Sequence, residues 1–269
     1  MKSPLFLFCI ALISSVSCAK HEQQSANGGS DTNIIKEYHS NGKIKTEISS
    51  VGDLREGPTR NYSFQGQLLS EVNYVKNLKD GIAKNYYPAS GKLNSTLVYK
   101  HGVKEGDEIW YYESGQPYRV SPYINGEING IQKLYYKNGE LMAEVPYKNG
   151  NPGTGLKEYK KDGKLVTDYP SIVIRKEDHT QDANKIVLII SLSNKAEDVK
   201  FYEGSLLEGK YLDKKMLLLA TQIGTTQIDF NLAPGASLNK RVPIAARFKT
   251  PMGNPCILFR SYNLEAFNP

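Results

Sequence analysis

The sequence predicts an all-β protein, in which an antiparallel β-meander of about six repeats over residues 34–169 is followed by an immunoglobulin-like β-sandwich over residues 170–269. Three observations predict this architecture. A Tyr-x-x-x-Gly frame recurs six times at a period of 24–25 residues, which indicates a repeat array. Fifteen of the 18 tyrosines lie between residues 31 and 169, so the composition changes where the repeats end. Beyond them come seven short runs of β-forming residues, separated by turn signals.

Composition and charge exclude several classes of protein. The chain has 269 residues, of which 39% are hydrophobic and 23% charged, and these values are ordinary for a folded protein. No apolar run reaches about 18 residues, so a polytopic membrane protein is excluded. The formal net charge of +6 is spread thinly and no block of Lys or Arg occurs, so we expect no nucleic-acid partner.

The first 33 residues predict an export signal and a linker. Residues 5–13 form an apolar stretch that spans roughly 14 Å, so residues 1–17 are typical of a lipoprotein signal peptide and not of a membrane helix. The Val-Ser-Cys ending resembles the lipobox of bacterial lipoproteins, which implies that Cys18 is lipidated; an ordinary secretory signal cleaved nearby is the alternative. Residues 18–33 predict a flexible tether. We expect a lipid-anchored protein in the cell envelope of a Gram-negative bacterium, at the outer membrane, on its periplasmic or surface face.

Each repeat predicts two short strands and two turns. Turn dipeptides such as Asn138-Gly139 close most frames, because Gly accepts a positive φ. Between the turns lie aromatic-rich segments with partial period-2 alternation, which favour strands. A single hairpin buries too little surface to be stable alone, so neighbouring copies must stabilise each other. The six frames start at Tyr38, Tyr62, Tyr87, Tyr111, Tyr135 and Tyr159.

These repeats resemble a known family. The pattern Tyr-x-x-x-Gly-x-Leu, in which a second Tyr can follow the first, and then Tyr-x-x-Gly-x-x-x-Gly, is clearest at 111–130, with Pro117 at the Leu position, and at 135–155, with one extra residue. It resembles the bacterial variant of MORN (membrane occupation and recognition nexus) repeats, and the likeness covers residues 34–169. The resemblance implies an elongated β-meander that serves as a scaffold or binding surface. It also implies an antitoxin-like member of a toxin–antitoxin system, a cytoplasmic role that fits the export signal poorly.

The last hundred residues predict a separate β-sandwich. Seven strands in about 100 residues suit an immunoglobulin-like arrangement, although no Cys-Trp-Cys signature is present. Residues 216–220 contain good helix formers, so a short helix is an alternative there. We expect this domain to cover the open sheet edge of the last repeat. The predicted strands are 172–175, 185–193, 199–202, 217–223, 227–232, 242–248 and 257–262.

The sequence contains no constellation that predicts catalysis. Cys9 leaves with the signal and Cys18 is expected to be acylated, so Cys256 is alone in an apolar strand and predicts an inert buried thiol. None of the four His residues has a partner at metal-ligand spacing, and no nucleophile elbow or phosphate loop occurs. We therefore predict no enzyme activity, no cofactor and no metal. An unrecognised site in the C-terminal domain is the rival interpretation.

An aromatic ladder on the repeat sheet is the candidate binding surface. In the Tyr-Tyr doublets, strand alternation sends one ring to each face, so one ring packs while the other is presented. The candidate residues are Trp110, Tyr112, Tyr136 and Tyr86; a purely structural role for them is the alternative. The predicted function is a non-catalytic protein-binding or scaffold module, whose partner is another envelope protein and whose anchor binds the membrane. The alternatives are an immunity or antitoxin-like protein that binds a toxin, and a glycan-binding or lipid-binding surface protein.

Overall fold

The computed structural model describes residues 22–25 and 32–269, and within them it confirms the all-β prediction. The predicted signal peptide 1–17 and Cys18 lie outside the described residues. The first fifteen strands form one antiparallel sheet. They are β1 (Glu22–Ser25), β2 (Thr32–Tyr38), β3 (Ile44–Val51), β4 (Leu54–Tyr62), β5 (Leu68–Val75), β6 (Leu78–Tyr86), β7 (Leu93–Lys100), β8 (Val103–Lys104), β9 (Gly106–Tyr111), β10 (Pro117–Ile124), β11 (Glu127–Ile128), β12 (Gly130–Tyr135), β13 (Leu141–Lys148), β14 (Asn151–Pro152) and β15 (Lys157–Glu158).

The sheet is a meander in which strands follow one another in chain order. The order is β1-β2-β3-β4-β5-β6-β7-β9-β10-β12-β13-β14, with β8 on β7, β11 on β10 and β15 on β13. Each Tyr-x-x-x-Gly frame forms a tight turn at one long edge of the sheet, as the sequence predicts. Gly115 (φ 91°) and Gly139 (φ 87°) have the positive φ that these turns need. At the other edge, two-residue turns such as Asn125-Gly126 have positive φ at both positions, which matches the twist of a hairpin.

The structure describes strands at two places within the predicted tether, residues 18–33. Residues 22–25 form β1, which pairs antiparallel with β2, and β2 already begins at Thr32. The polar composition of this segment predicted a flexible linker, but backbone N–H and C=O groups can pair with a sheet edge whatever the side chains are. The first repeat is therefore preceded by an additional strand.

The C-terminal region is a sandwich of two sheets, and all seven predicted strands are present. One sheet has the order β16-β17-β20 and the other β19-β18-β21-β22. Ile186, Leu188, Phe201, Ile244 and Leu264 are fully buried between them. The strands are β16 (Ile172–His179), β17 (Lys185–Leu192), β18 (Val199–Glu203), β19 (Leu217–Leu218), β20 (Thr225–Asn231), β21 (Ser237–Lys249) and β22 (Pro255–Phe267), and helix α1 (Thr180–Ala183) joins β16 to β17.

The predicted run 217–223 is the poorest match. Only residues 217–218 are a strand, and the alternative of a helix over 216–220 is wrong, since this segment pairs with β18. No helix in the described part of the chain has the length and apolar character needed to cross a membrane.

The sandwich holds the last repeat at its open edge, as expected. The Leu212 N–H donates to the Pro152 carbonyl and the Thr154 N–H to the Lys210 carbonyl, so the edge after β13 is paired. Gly153 lies against the Tyr211 ring, and a Cβ there would stand 2.7 Å from that ring, so only glycine allows this approach. The two units therefore meet through a close backbone contact.

Candidate functional site

One face of the repeat sheet, which we call the inner face, is the core of the array. Its side chains are small or polar but buried: Ser95, Ser121 and Ala143 are among them. The cross-strand register places one residue of each strand in a continuous row along this face. That row is Thr46, Asn61, Ser70, Asn85, Ser95, Trp110, Arg119, Leu134, Ala143 and Glu158.

Hydrogen bonds between side chains satisfy much of this polar core. Asn61 Nδ2 donates to Ser70 Oγ over 3.0 Å, and Asn85 Nδ2 donates to Ser95 Oγ over 2.9 Å. These amide–hydroxyl pairs join neighbouring strands, and the second one gives the buried Ser95 hydroxyl a hydrogen-bond partner. The inner face is thus filled by the array itself.

A second aromatic series borders the inner face. Tyr74, Tyr99, Tyr123 and Tyr147 each lie across from a glycine of the adjacent strand. A cation from the preceding repeat stacks on three of these rings: Arg55 on Tyr74, Lys79 on Tyr99 and Lys104 on Tyr123, at 5.5, 4.9 and 4.6 Å from the ring centroids. The glycines opposite these tyrosines therefore leave room for the rings, and the stacked cations link successive repeats.

The second tyrosine of each doublet connects one repeat to the next. Tyr87 Oη donates to the Tyr111 carbonyl (2.6 Å), Tyr112 Oη to the Tyr135 carbonyl (2.8 Å) and Tyr136 Oη to the Tyr159 carbonyl (2.7 Å). We call Tyr87, Tyr112 and Tyr136 the tyrosine rungs. Their hydroxyls are engaged within the sheet instead of being left for a ligand.

The single tryptophan packs beside these rungs. Trp110 lies 6.4 Å from the Tyr118 ring and under the Arg119 guanidinium at 5.1 Å. Tyr118 also contacts Tyr112, at 5.3 Å between ring centroids. The pKa of the Tyr118 hydroxyl is raised, mainly because the side chain is partly buried. Trp110 therefore belongs to an aromatic cluster with one cation on the inner face.

The opposite face, which we call the outer face, has a row of alternating charges. Arg60 Nε lies 2.7 Å from Glu71, and Lys157 Nζ lies 3.5 Å from Glu144. Tyr62 Oη donates to Glu47 over 2.7 Å, and burial together with this carboxylate raises the pKa of Tyr62 to about 12. The row is Lys36, Glu47, Arg60, Glu71, Lys84, Thr96, Ile109, Val120, Lys133, Glu144 and Lys157.

In the middle of the array, Ile109 and Val120 replace the charged residues of this row, and Ile82 and Ile131 lie in the neighbouring row of the same face. Ile82 is 54% exposed and Ile131 is 41% exposed, although both lie inside strands. Large aliphatic groups at such exposure mark a surface that could bind a partner. We call this surface the central patch; it consists of Ile82, Val98, Ile109, Val120, Pro122 and Ile131.

The four predicted binding residues do not share a surface. Trp110, Tyr112 and Tyr136 are half-buried on the inner face, where the tyrosine hydroxyls bond to the backbone. Alternation along β6 places Tyr86 on the outer face with Lys84, at the border of the central patch. The doublet prediction of one ring on each face is therefore fulfilled, and Tyr86 is the predicted residue nearest to an exposed apolar surface.

A cleft separates the last repeat from the sandwich. It encloses about 710 Å³ and is lined by Tyr136, Tyr169, Phe248 and Met252 among others. Glu158, only 1% exposed, accepts hydrogen bonds from Thr250 Oγ1 and Asn254 Nδ2, both at 2.6 Å, and from Tyr169 Oη at 3.2 Å. This buried carboxylate is thus occupied in joining the two units.

Sequence reasoning missed the central patch. Its aliphatic residues come from five strands, and each is unremarkable in its own segment. Strand alternation alone would have placed them on one face, but the lateral alignment depends on a β-bulge at the same place in the first five copies, for example between Asn85 and Tyr86. A register shift of one residue would have moved them to the inner face.

Comparison with known proteins identifies repeats within the sheet. The family model described as MORN repeat variant matches residues 32–50, 55–76, 104–125 and 128–149. The stretch between the second and third matches forms the same kind of hairpin, β6–β7. MORN repeats are generally associated with protein or membrane binding. No curated protein matches the chain.

Proposed function

We propose that the protein is a non-catalytic protein-binding module, which presents its repeat sheet as a scaffold in the cell envelope. The observation that carries this proposal is the central patch, where Ile82 and Ile131 stay exposed in the middle of an ordered sheet. A repeat array with an uncovered apolar surface is the architecture of extended binding proteins.

The position of the sandwich supports this role. Its contacts with the array involve mainly β13 to β15 and the segments that join them, together with one ion pair between Lys214 and Glu127 of β11. Within the described parts of the chain, no hydrogen bond or ion pair joins the sandwich to β3–β10. The sandwich thus protects the end of the array and leaves the outer face free for a partner.

The N-terminal sequence supports a place of action at a membrane. Lipidation at Cys18 would hold the module on a membrane, because acyl chains contribute about 0.8 kcal/mol for each buried CH₂ group. We propose the outer membrane of a Gram-negative bacterium, where the partner would be another envelope protein.

Crosslinked affinity capture from intact cells tests the proposal, with the native protein and a Cys18→Ser variant in parallel. A single stoichiometric envelope protein, lost with the Cys18 change, supports the anchored scaffold. Tight one-to-one capture of a toxin-like protein would replace it by the immunity or antitoxin-like alternative. Recovery of glycan or lipid alone, with no protein partner, would contradict it in favour of a glycan-binding or lipid-binding surface.

A further inference from the structure

The central patch lies between two lysines for which residues 22–25 and 32–269 supply no carboxylate partner. Glu71, the cross-strand neighbour of Lys84, is already paired with Arg60, and Glu144, the neighbour of Lys133, is paired with Lys157. Within the described part of the chain, neither Lys84 nor Lys133 has a carboxylate within 4.0 Å. The outer row thus offers one free positive charge at each end of its apolar segment.

The size of this surface limits what it can bind. Lys84 and Lys133 are separated by four strand spacings, through β7, β9 and β10, which amounts to about 19 Å. The patch consists of two residue rows, so it is about 7 Å wide. This area is far below the roughly 800 Å² that each partner buries in a standard protein–protein interface, so a second copy of the chain would be held poorly by the patch alone.

An α-helix fits these dimensions. A helix laid across the strands covers 19 Å with about 13 residues and presents one apolar stripe. Asp107 is exposed in the second row, between Val98 and Pro122, so it would face a polar or basic residue near the middle of such a helix. Free lysines at both ends complement acidic residues there.

We propose that the central patch binds an amphipathic helix of a partner protein, with an apolar stripe in its middle and a carboxylate near each end, about 12–13 residues apart. This inference deepens the proposed protein-binding function and depends on it. Lys84 and Lys133 contact the acidic ends and fix the position of the helix across the strands, while the aliphatic side chains between them bury the stripe.

Photo-crosslinking in cells tests the proposal with the full-length protein. A photoreactive benzoylphenylalanine replaces Ile131 in the patch or, as a second position, Leu54, which is 43% exposed near the other end of the array. Mass spectrometry then identifies the crosslinked segment. We expect the Ile131 position to capture a segment with apolar residues at a 3–4 spacing and acidic residues at both ends. A basic segment, an extended one, a lipid or a second copy of this chain would overturn the inference.

Charge reversal supplies a matched comparison. Lys84→Glu combined with Lys133→Glu should lower the crosslink yield at Ile131 about tenfold, and Lys200→Glu, an exposed change on the sandwich, should leave it within about twofold. An unchanged melting temperature shows that the double variant is folded. A partner captured at Leu54 but not at Ile131 would reject the helix site and leave the binding function intact, whereas capture at neither position would contradict both.

Discussion

At the scale of single residues, the burial of the Cys256 side chain shows how closely the sandwich is packed. The side chain is 4% exposed in β22, and burial, with the Glu158 carboxylate as a second cause, raises the pKa of the Cys256 thiol to about 12. The sequence predicted an inert buried thiol at this position, and its burial is confirmed. Because only the thiolate is a nucleophile, this cysteine is unreactive in the folded protein at neutral pH.

The raised pKa of Cys256 predicts a loss of stability at alkaline pH. The fold favours the neutral thiol, so its contribution is complete below the unfolded pKa of about 8.5 and is lost as pH rises toward 12. The free energy of unfolding of the native protein should therefore fall relative to that of a Cys256→Ser variant, by up to about 1.4 kcal/mol per pH unit in this window. Urea unfolding at pH 7.5 and 10.5 measures the difference. A difference that stays constant between the two pH values would contradict the prediction.

At the scale of elements, the array is a chain of hairpins whose connections repeat with the sequence. The tyrosine rungs bridge repeats along one edge. At the other edge, backbone N–H groups of the turns donate to acidic side chains of the preceding repeat, as from Asn125 to Glu105 over 3.1 Å and from His101 to Asp80 over 3.0 Å. Each hairpin is thus stabilised by its neighbours, which is why the repeat can persist without a thick core.

Removing a rung hydroxyl should weaken the array. We expect Tyr112→Phe and Tyr136→Phe each to lower the free energy of unfolding by about 0.5–1.5 kcal/mol, since each leaves a backbone carbonyl without its donor. Tyr99→Phe is the control, because the Tyr99 hydroxyl makes no hydrogen bond to the described residues. Equal losses in all three variants, measured by chemical denaturation, would show that the hydroxyl bonds do not matter.

At the scale of the whole molecule, two units of different construction are joined by buried side-chain hydrogen bonds as well as by the backbone contact at Gly153. Glu158 belongs to the last strand of the array, whereas Thr250 and Asn254 belong to the turn between β21 and β22. Their hydrogen bonds are buried and span 92 and 96 residues of sequence. This junction fixes the sandwich at the end of the array.

The Glu158→Ala substitution should make the array and the sandwich unfold in separate transitions. It leaves two buried donors without an acceptor, so we expect a loss of about 2–4 kcal/mol. Trp110 is the only tryptophan, so its fluorescence follows the array, while far-ultraviolet circular dichroism follows both units. We expect the two signals to give different midpoints in the variant. Glu144→Ala, which removes a surface ion pair, should cost less than about 1 kcal/mol. Coincident transitions at the native midpoint for Glu158→Ala would reject the prediction.

The sequence by itself determined the all-β class, the repeat period, the turn glycines and the positions of the sandwich strands. These features are local: a turn needs Gly where φ is positive, and a strand shows its period within a few residues. For the candidate site it predicted that the two rings of a Tyr-Tyr doublet lie on opposite faces, because alternation is also local, but it grouped Tyr86 with Tyr112 on one surface.

Only the tertiary structure decided which face is core and which is exposed. The repeated β-bulges set the strand register, and this register brings Ile82, Val120 and Ile131 onto the same face of the sheet. It also decides that Lys84 and Lys133 have no carboxylate partner among the described residues, since the neighbouring glutamates pair with other residues. The partners of Glu158 lie more than 90 residues away along the chain. Such pairings depend on how distant segments meet in space, and no local pattern of residues encodes them.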